Sequence, residues 1–92
     1  MEYHYPIDES WDTDEVMDVI HFLQLIEKAY EDKANRDDLL HAYHRFKEIV
    51  PSKMEEKQID KKFNQQSGYS TYRTIQKAKQ AENGETITMA YK

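Results

Sequence analysis

Apolar residues recur at three- and four-residue steps along most of the chain, the spacing that puts them on one face of a helix. Over residues 13–31 the positions Val16, Val19, Ile20, Leu23, Ile26 and Tyr30 form one stripe, which Met17, Phe22, Leu25 and Ala29 broaden. A stripe that wide predicts a helix with several neighbours, at the centre of the core. Residues 36–50 repeat the pattern through Leu39, Ala42, Tyr43, Phe46, Ile49 and Val50. Residues 53–66 are mostly polar, with Met54, Ile59 and Phe63 as anchors, so the third helix is expected to be the least buried. In a fourth helix over 71–82, Tyr72, Ile75, Ala78 and Ala81 are expected to face inward.

The boundaries have their own chemistry. Asp12 and Glu15 have the spacing of a capping box, and Trp11 with Val16 fits a hydrophobic staple. After a short turn at 32–34, Asn35 is suited to cap the second helix. Pro51 lacks a backbone N–H and pushes Val50 out of helical geometry, which stops that helix. Ser52 and Glu55 then start the third by a second capping-box spacing. Gly68 suits the left-handed position after a helix end, where Tyr69 can fold back on Phe63. Ser70 caps the fourth helix, and Asn83-Gly84 ends it.

Two flanks remain. In residues 1–10, Tyr3, Tyr5 and Ile7 alternate toward one side of an extended aromatic arm, expected to lie across a helix surface. In residues 85–92, Ile87, Met89 and Tyr91 alternate in a segment expected to be a flexible tail, or an extended addition to the chain's own surface or a partner's. The expectation is therefore one all-α domain over 1–92: a small four-helix bundle with extended N- and C-terminal arms.

Composition narrows the classes of function. The 92 residues are 38% hydrophobic and 34% charged, with seven Tyr, three Phe and one Trp to build a small core. The absence of Cys excludes disulfides, thiolate catalysis and cysteine-based zinc sites. No apolar run is long enough to span a bilayer, and the acidic-aromatic start lacks the pattern of a signal peptide, so a cytoplasmic protein without membrane association is expected. Charge is unevenly distributed. Residues 1–38 hold twelve acids against three bases, whereas residues 39–92 hold six against ten. Such polarity can orient partners or protomers, although a solvated charged surface is the favoured explanation.

The chain resembles a known family through a series of short blocks. They begin with Met1-Glu2-Tyr3, Tyr5-Pro6, Trp11, His21-Phe22 and Glu27-Lys28-Ala29-Tyr30. Ala42-Tyr43 and the run from Arg45 to Lys53 with Glu55-Glu56-Lys57 follow. Ser67-Gly68-Tyr69-Ser70, Tyr72-Arg73 and Gln76-Lys77-Ala78-Lys79 complete the match. Together they resemble the YktA-like family, small uncharacterised bacterial proteins of Bacillus type, up to about Gly84. The resemblance implies an all-helical cytoplasmic domain and transfers no catalytic residue.

Candidate chemistry is sparse. His41 and His44 lie three apart with Glu48 a turn further, and Asp18 precedes His21 as Asp38 precedes His41. A carboxylate–histidine step of this kind serves di-metal helical proteins, but only where the ligands converge inside a bundle. The first-helix pair falls on the polar side, so no metal and no cofactor is expected. Ser52, Ser67 and Ser70 are explained as caps or turn residues, Glu55-Glu56 lies on a polar face, and two isolated glycines cannot make a phosphate loop. No catalytic residue is assigned.

Residues 63–79 resemble a helix-turn-helix, with Gly68 in the turn and Arg73, Lys77 and Lys79 on the second helix. Asn64 stands where a small residue is usual, and Ile75 and Ala78 are displaced by one position, a rotation of about 100°. Nucleic-acid binding is therefore the alternative. The leading expectation is a non-catalytic protein-interaction or regulatory module, with an unknown partner or by self-association, whose surface comprises Tyr69, Tyr72, Arg73, Lys77 and Lys79.

Overall fold

Each helix begins where a side-chain oxygen is available to take up its first free backbone N–H groups. The structure is a computed structural model and describes residues 5–90. Helix α1 (Thr13–Glu31) starts at the complete Asp12–Glu15 capping box, with both arms formed. Asn35 accepts from the amides of Asp37 and Asp38 to start α2 (Arg36–Ile49). Ser52 and Ser70 do the same for α3 (Lys53–Ser67) and α4 (Thr71–Gln80), each through the third residue's N–H. At Ser52 this hydrogen bond is long, 3.4 Å. Before Pro51, Val50 leaves the helical basin at φ −125°, ψ 74°. Gly68 takes the left-handed conformation at φ 82°, which a residue with a Cβ adopts at a cost.

The four helices enclose one continuous core. Helix α1 is at its centre through Val19, Phe22, Leu23, Ile26 and Ala29, and α2 covers it with Leu39, Ala42 and Phe46. Phe22 stacks on Phe46 at 4.8 Å between ring centroids, and Tyr43 tilts against Phe22 at 5.8 Å. Helix α4 packs mainly on α2, burying Thr71, Thr74, Ile75 and Ala78. Helix α3 buries only Phe63 and Ser67, so it is indeed the least buried. The radius of gyration, 12.4 Å, is about that of a close-packed chain of this length.

Several sequence expectations fail in detail. Met17, Met54, Ile7 and Tyr72, all expected to face inward, are exposed. Thr71 and Thr74 occupy the inward positions on α4 instead. They can do so because their hydroxyls are satisfied within the hairpin: Thr74 donates to the Ser70 carbonyl and Thr71 to Asp60. Helix α4 stops at Gln80 rather than 82, and Glu82–Glu85 closes a turn with Gly84 at φ 83°.

Of the two expectations for the C-terminal segment, the structure has the extended addition to the chain's own surface: residues 85–90 are laid against the bundle. Ala34–Asn35 (β1) pairs antiparallel with Thr86–Ile87 (β2), so the expected turn at 32–34 runs into a short strand. Ile87 is buried, and the Met89 amide donates to the Ala29 carbonyl at 2.7 Å. Arg36 secures this arrangement. Its Nε donates to the Ala78 carbonyl near the C-terminus of α4, and its terminal nitrogen reaches Asn83 at 2.8 Å. On the other flank Tyr5 lies against Phe63 and donates its hydroxyl to Glu27, as expected of an arm crossing a helix surface. Tyr3, Tyr91 and the rest of the outermost residues lie outside the described segment.

Candidate interaction cleft

Because α3 is thinly packed, a cleft opens between it and α4, floored by α2. Its volume is about 360 Å³, and its walls come from two periodic sets of residues. Lys53, Glu56, Lys57 and Asp60 follow one face of α3, while Thr71, Tyr72, Ile75, Gln76 and Lys79 follow one face of α4. Tyr43 of α2 contributes from below. Both sets repeat at three- and four-residue steps on either side of the Gly68 turn. That spacing was the signal in the sequence, and it went unread because the residues are polar.

The acids of the cleft are engaged by the protein itself. Glu56 receives Lys47 Nζ at 2.6 Å and the Tyr43 hydroxyl at 3.0 Å. Asp60 takes both the amide and the hydroxyl of Thr71, which ties α3 to the first turn of α4. Burial, and then the hydrogen bond and charge of Glu56, push the Tyr43 phenol up to about 12, so it remains a neutral donor. The cations are less constrained. Lys79 lies over the Tyr43 ring at 5.5 Å, and Lys53 and Lys57 make no ion pair among the described residues. The cleft therefore presents three ammonium groups around an apolar floor of Ile75 and tyrosine. The Tyr72 ring stands at the rim, 65% exposed.

The five residues nominated from the sequence divide three ways. Tyr72 and Lys79 line the cleft. Arg73 and Lys77 are exposed on another side of α4, where Lys77 donates to the Thr88 carbonyl and holds the C-terminal segment. Tyr69 is not at the surface. It stacks on Tyr30 at 4.5 Å, meets the Phe63 edge at 6.3 Å and donates its hydroxyl to Glu31. A residue after a left-handed glycine is well placed for this, because the reversed chain directs it back onto the preceding helix.

His21, His41 and His44 collect in a second groove, between α1 and α2, together with Asp18, Asp38, Arg45 and Glu48. Arg45 occupies its electrostatic centre, donating to Asp18 at 2.7 Å and to Glu48 at 3.3 Å. The Asp18 hydrogen bond raises the pKa of the guanidinium further. Asp18 and Glu48, the carboxylates beside His21 and His44, thus face a fixed positive charge. No group of three potential ligands with metal-binding geometry occurs among the described residues.

The helix-turn-helix resemblance also acquires a physical reading. Asn64, anomalous for that motif, donates its side-chain amide to the Tyr69 carbonyl across the turn. Thr74, at a position where an apolar residue was expected, is fully buried with its hydroxyl satisfied. These residues specify a capped helical hairpin.

Comparison with known proteins gives a consistent result. Residues 2–87 match the profile of an uncharacterised protein family, UPF0223. A UPF0223 protein of Streptococcus uberis is 57% identical over 82 residues, covering 89% of each chain. One from Bacillus mycoides is 52% identical over 89 residues, covering 97% of this chain and all of its own. One from Streptococcus thermophilus is 54% identical over 82 residues, or 89% of this chain and 88% of the relative. With the match running from the aromatic arm to the closing strand, the chain belongs to the UPF0223 family.

Proposed function

We propose that the protein is a non-catalytic protein-interaction module of the cytoplasm, and that the α3–α4 cleft is its contact surface. One observation carries this reading: an exposed tyrosine at the rim of a lysine-edged cleft whose own acids are already satisfied. Amphipathic rings of this kind supply contact area at small entropic cost, while rim cations select and steer an acidic partner. Among the described residues no hydrogen bond orients a histidine against a carboxylate in the second groove, and the acids of the first are engaged by Lys47, Tyr43 and Thr71, which supports binding over catalysis. The cytoplasmic setting is supported by a chain free of Cys and by the lack of any membrane-length helix among the described residues. The YktA-like resemblance and UPF0223 membership describe, in this reading, the same group of proteins.

Nucleic-acid binding through α4 is the weaker alternative. Of the three basic side chains it would use, Lys77 is engaged by the Thr88 carbonyl, and Lys79 lines the α3–α4 cleft instead of sharing the side of α4 that carries Arg73.

The test is site-specific crosslinking in cells. A photoreactive phenylalanine replaces Tyr72, or Gln24 on the far side of α1 as a control. A discrete protein adduct from position 72 alone is the expected result. Adducts of equal pattern from both positions, or adducts to nucleic acid, would refute it.

A further inference from the structure

The same chain that presents a basic cleft also presents a segment suited to fill one. Residues 8–18 contain six acids and no base, whereas residues 53–80 contain seven bases and three acids. Within the acidic segment the carboxylates are unequal. Asp8 accepts from the Ser10 amide, Asp12 and Glu15 are occupied in the capping box, and Asp18 holds Arg45. Glu9 and Asp14 are exposed and make no hydrogen bond or ion pair among the described residues. Asp14 lies three residues before Met17, on the same outer face of α1. Met17 is 63% exposed, an unbranched apolar side chain at the surface of the most deeply packed helix.

We infer that the α3–α4 cleft receives the acidic start of α1 from a second copy of this chain. In this arrangement Met17 enters against Tyr72 and Ile75, and Glu9 and Asp14 meet Lys53, Lys57 and Lys79. A thioether against an aromatic ring is a favourable contact, and Met adapts to an irregular opening better than a branched residue. The charges are complementary at short range. Repulsion between two molecules of net charge −5 is longer in range and is screened beyond about 8 Å at physiological ionic strength. The two surfaces differ, so either two copies exchange the contact reciprocally about a two-fold axis, or further copies extend it head to tail. This inference rests on the cleft being a protein-docking site, and it names the occupant.

Sedimentation velocity on the full chain tests it, over a concentration series reaching about 100 µM, a range that detects weak association. Self-association should occur and should weaken as salt is raised from about 50 mM to about 500 mM. Lys53→Glu with Lys57→Glu should lower the association constant by about tenfold or more, and Glu9→Lys with Asp14→Lys should do the same. All four positions are exposed, and circular dichroism verifies that each variant is folded. Met17→Gln, which leaves the helix terminus untouched, should also weaken association.

Mixing the two charge-reversed variants is expected to place positive knobs against negative clefts and so restore assembly, with both proteins present in the complex. A parent protein that stays monomeric at every concentration and salt overturns the inference, as does association unaffected by either reversal. A monomer that still gives a position-72 adduct with a different protein would remove self-docking and leave the function proposed above intact. Loss of both results would remove that reading as well.

Discussion

Helices α1 and α2 are held together mainly by apolar packing, whereas α3 and α4 are held mainly by polar side chains. Between the first pair, Phe22, Leu23, Ile26, Leu39 and Phe46 interlock around stacked rings, and the charges outside them meet at Arg45 near the surface. Between the second pair, Asp60 grips Thr71, Asn64 grips the Tyr69 carbonyl, and Ser67 links Phe63 to the Tyr69 amide. Apolar packing closes the interior between α1 and α2, and the groove that these helices share lies outside it among charged side chains. Directional hydrogen bonds fix two helices at a few points and leave space between those points, and here that space is the cleft. The helix pair with the smaller hydrophobic contribution is thus the one that leaves a cleft with an apolar floor between its helices.

Core truncation should expose this contrast most strongly. Phe46→Ala removes a buried ring from the α1–α2 stack and should cost about 3–5 kcal/mol, read from urea unfolding. Ile59→Ala on α3, where the side chain is only half-buried, should cost roughly 1 kcal/mol, since less area leaves water on folding. Equal losses would mean that α3 is as deeply packed as α1 and α2, and the contrast would disappear. Gly68→Val comes next. A β-branched residue held at φ 82° should cost about 1–2 kcal/mol or more. Gly68→Asn, which tolerates the left-handed region, should recover most of it.

Polar truncations should reverse the ranking of the two regions. Asp60→Ala deprives the Thr71 amide and hydroxyl of their acceptor and should cost roughly 1–2 kcal/mol by the same measurement. Asp18→Ala breaks the shorter-looking ion pair with Arg45 but should cost under about 0.5–1 kcal/mol, because both side chains are well exposed to solvent. If Asp18 proved the more important carboxylate, the hairpin would not depend on its polar links.

The same division explains what could be read before the fold was known. The helix positions in α1 and α2, the stop at Pro51 and the caps at Asp12, Asn35, Ser52 and Ser70 follow from periodicity and local backbone chemistry, and each is present. Burial on α4 was misassigned because Tyr72 and Thr74 compete for the inward face. Hydropathy favours tyrosine, but threonine fits beside the turn once its hydroxyl donates to Ser70. The β1–β2 pairing was illegible for a different reason: two residues on each side carry no periodic signal, and their register depends on Arg36 reaching Asn83 and Glu85 from 47 and 49 residues away in sequence. The cleft was half legible. Tyr72 and Lys79 were nominated as members of an interaction surface, although periodicity turned Tyr72 inward, while Lys53, Lys57 and Tyr43 became neighbours only through the hairpin's closure.

The smallest expected effect lies on the apolar side, where a partly buried acid meets the N-terminal arm. Glu27 sits on α1 beneath the N-terminal arm, and the Tyr5 hydroxyl donates to it at 2.9 Å. Burial first, and the neighbouring charge of Glu31 second, raise its pKa above the usual 4.5. The folded state therefore holds this proton more tightly than the unfolded chain does. The stabilisation is fully present below the unfolded value and is lost as pH rises through the folded one. Thermal melts from about pH 4 to about pH 7 should thus show stability falling less, or rising more, with pH in Glu27→Gln than in the parent, over the window just above 4.5. Tyr5→Phe should move the profile the other way: removing a donor to the ionised carboxylate raises the folded pKa further and widens the window. Superimposable profiles for all three proteins would mean that the arm leaves Glu27 open to water, and that the tight packing of the α1–α2 side ends at its aromatic stack.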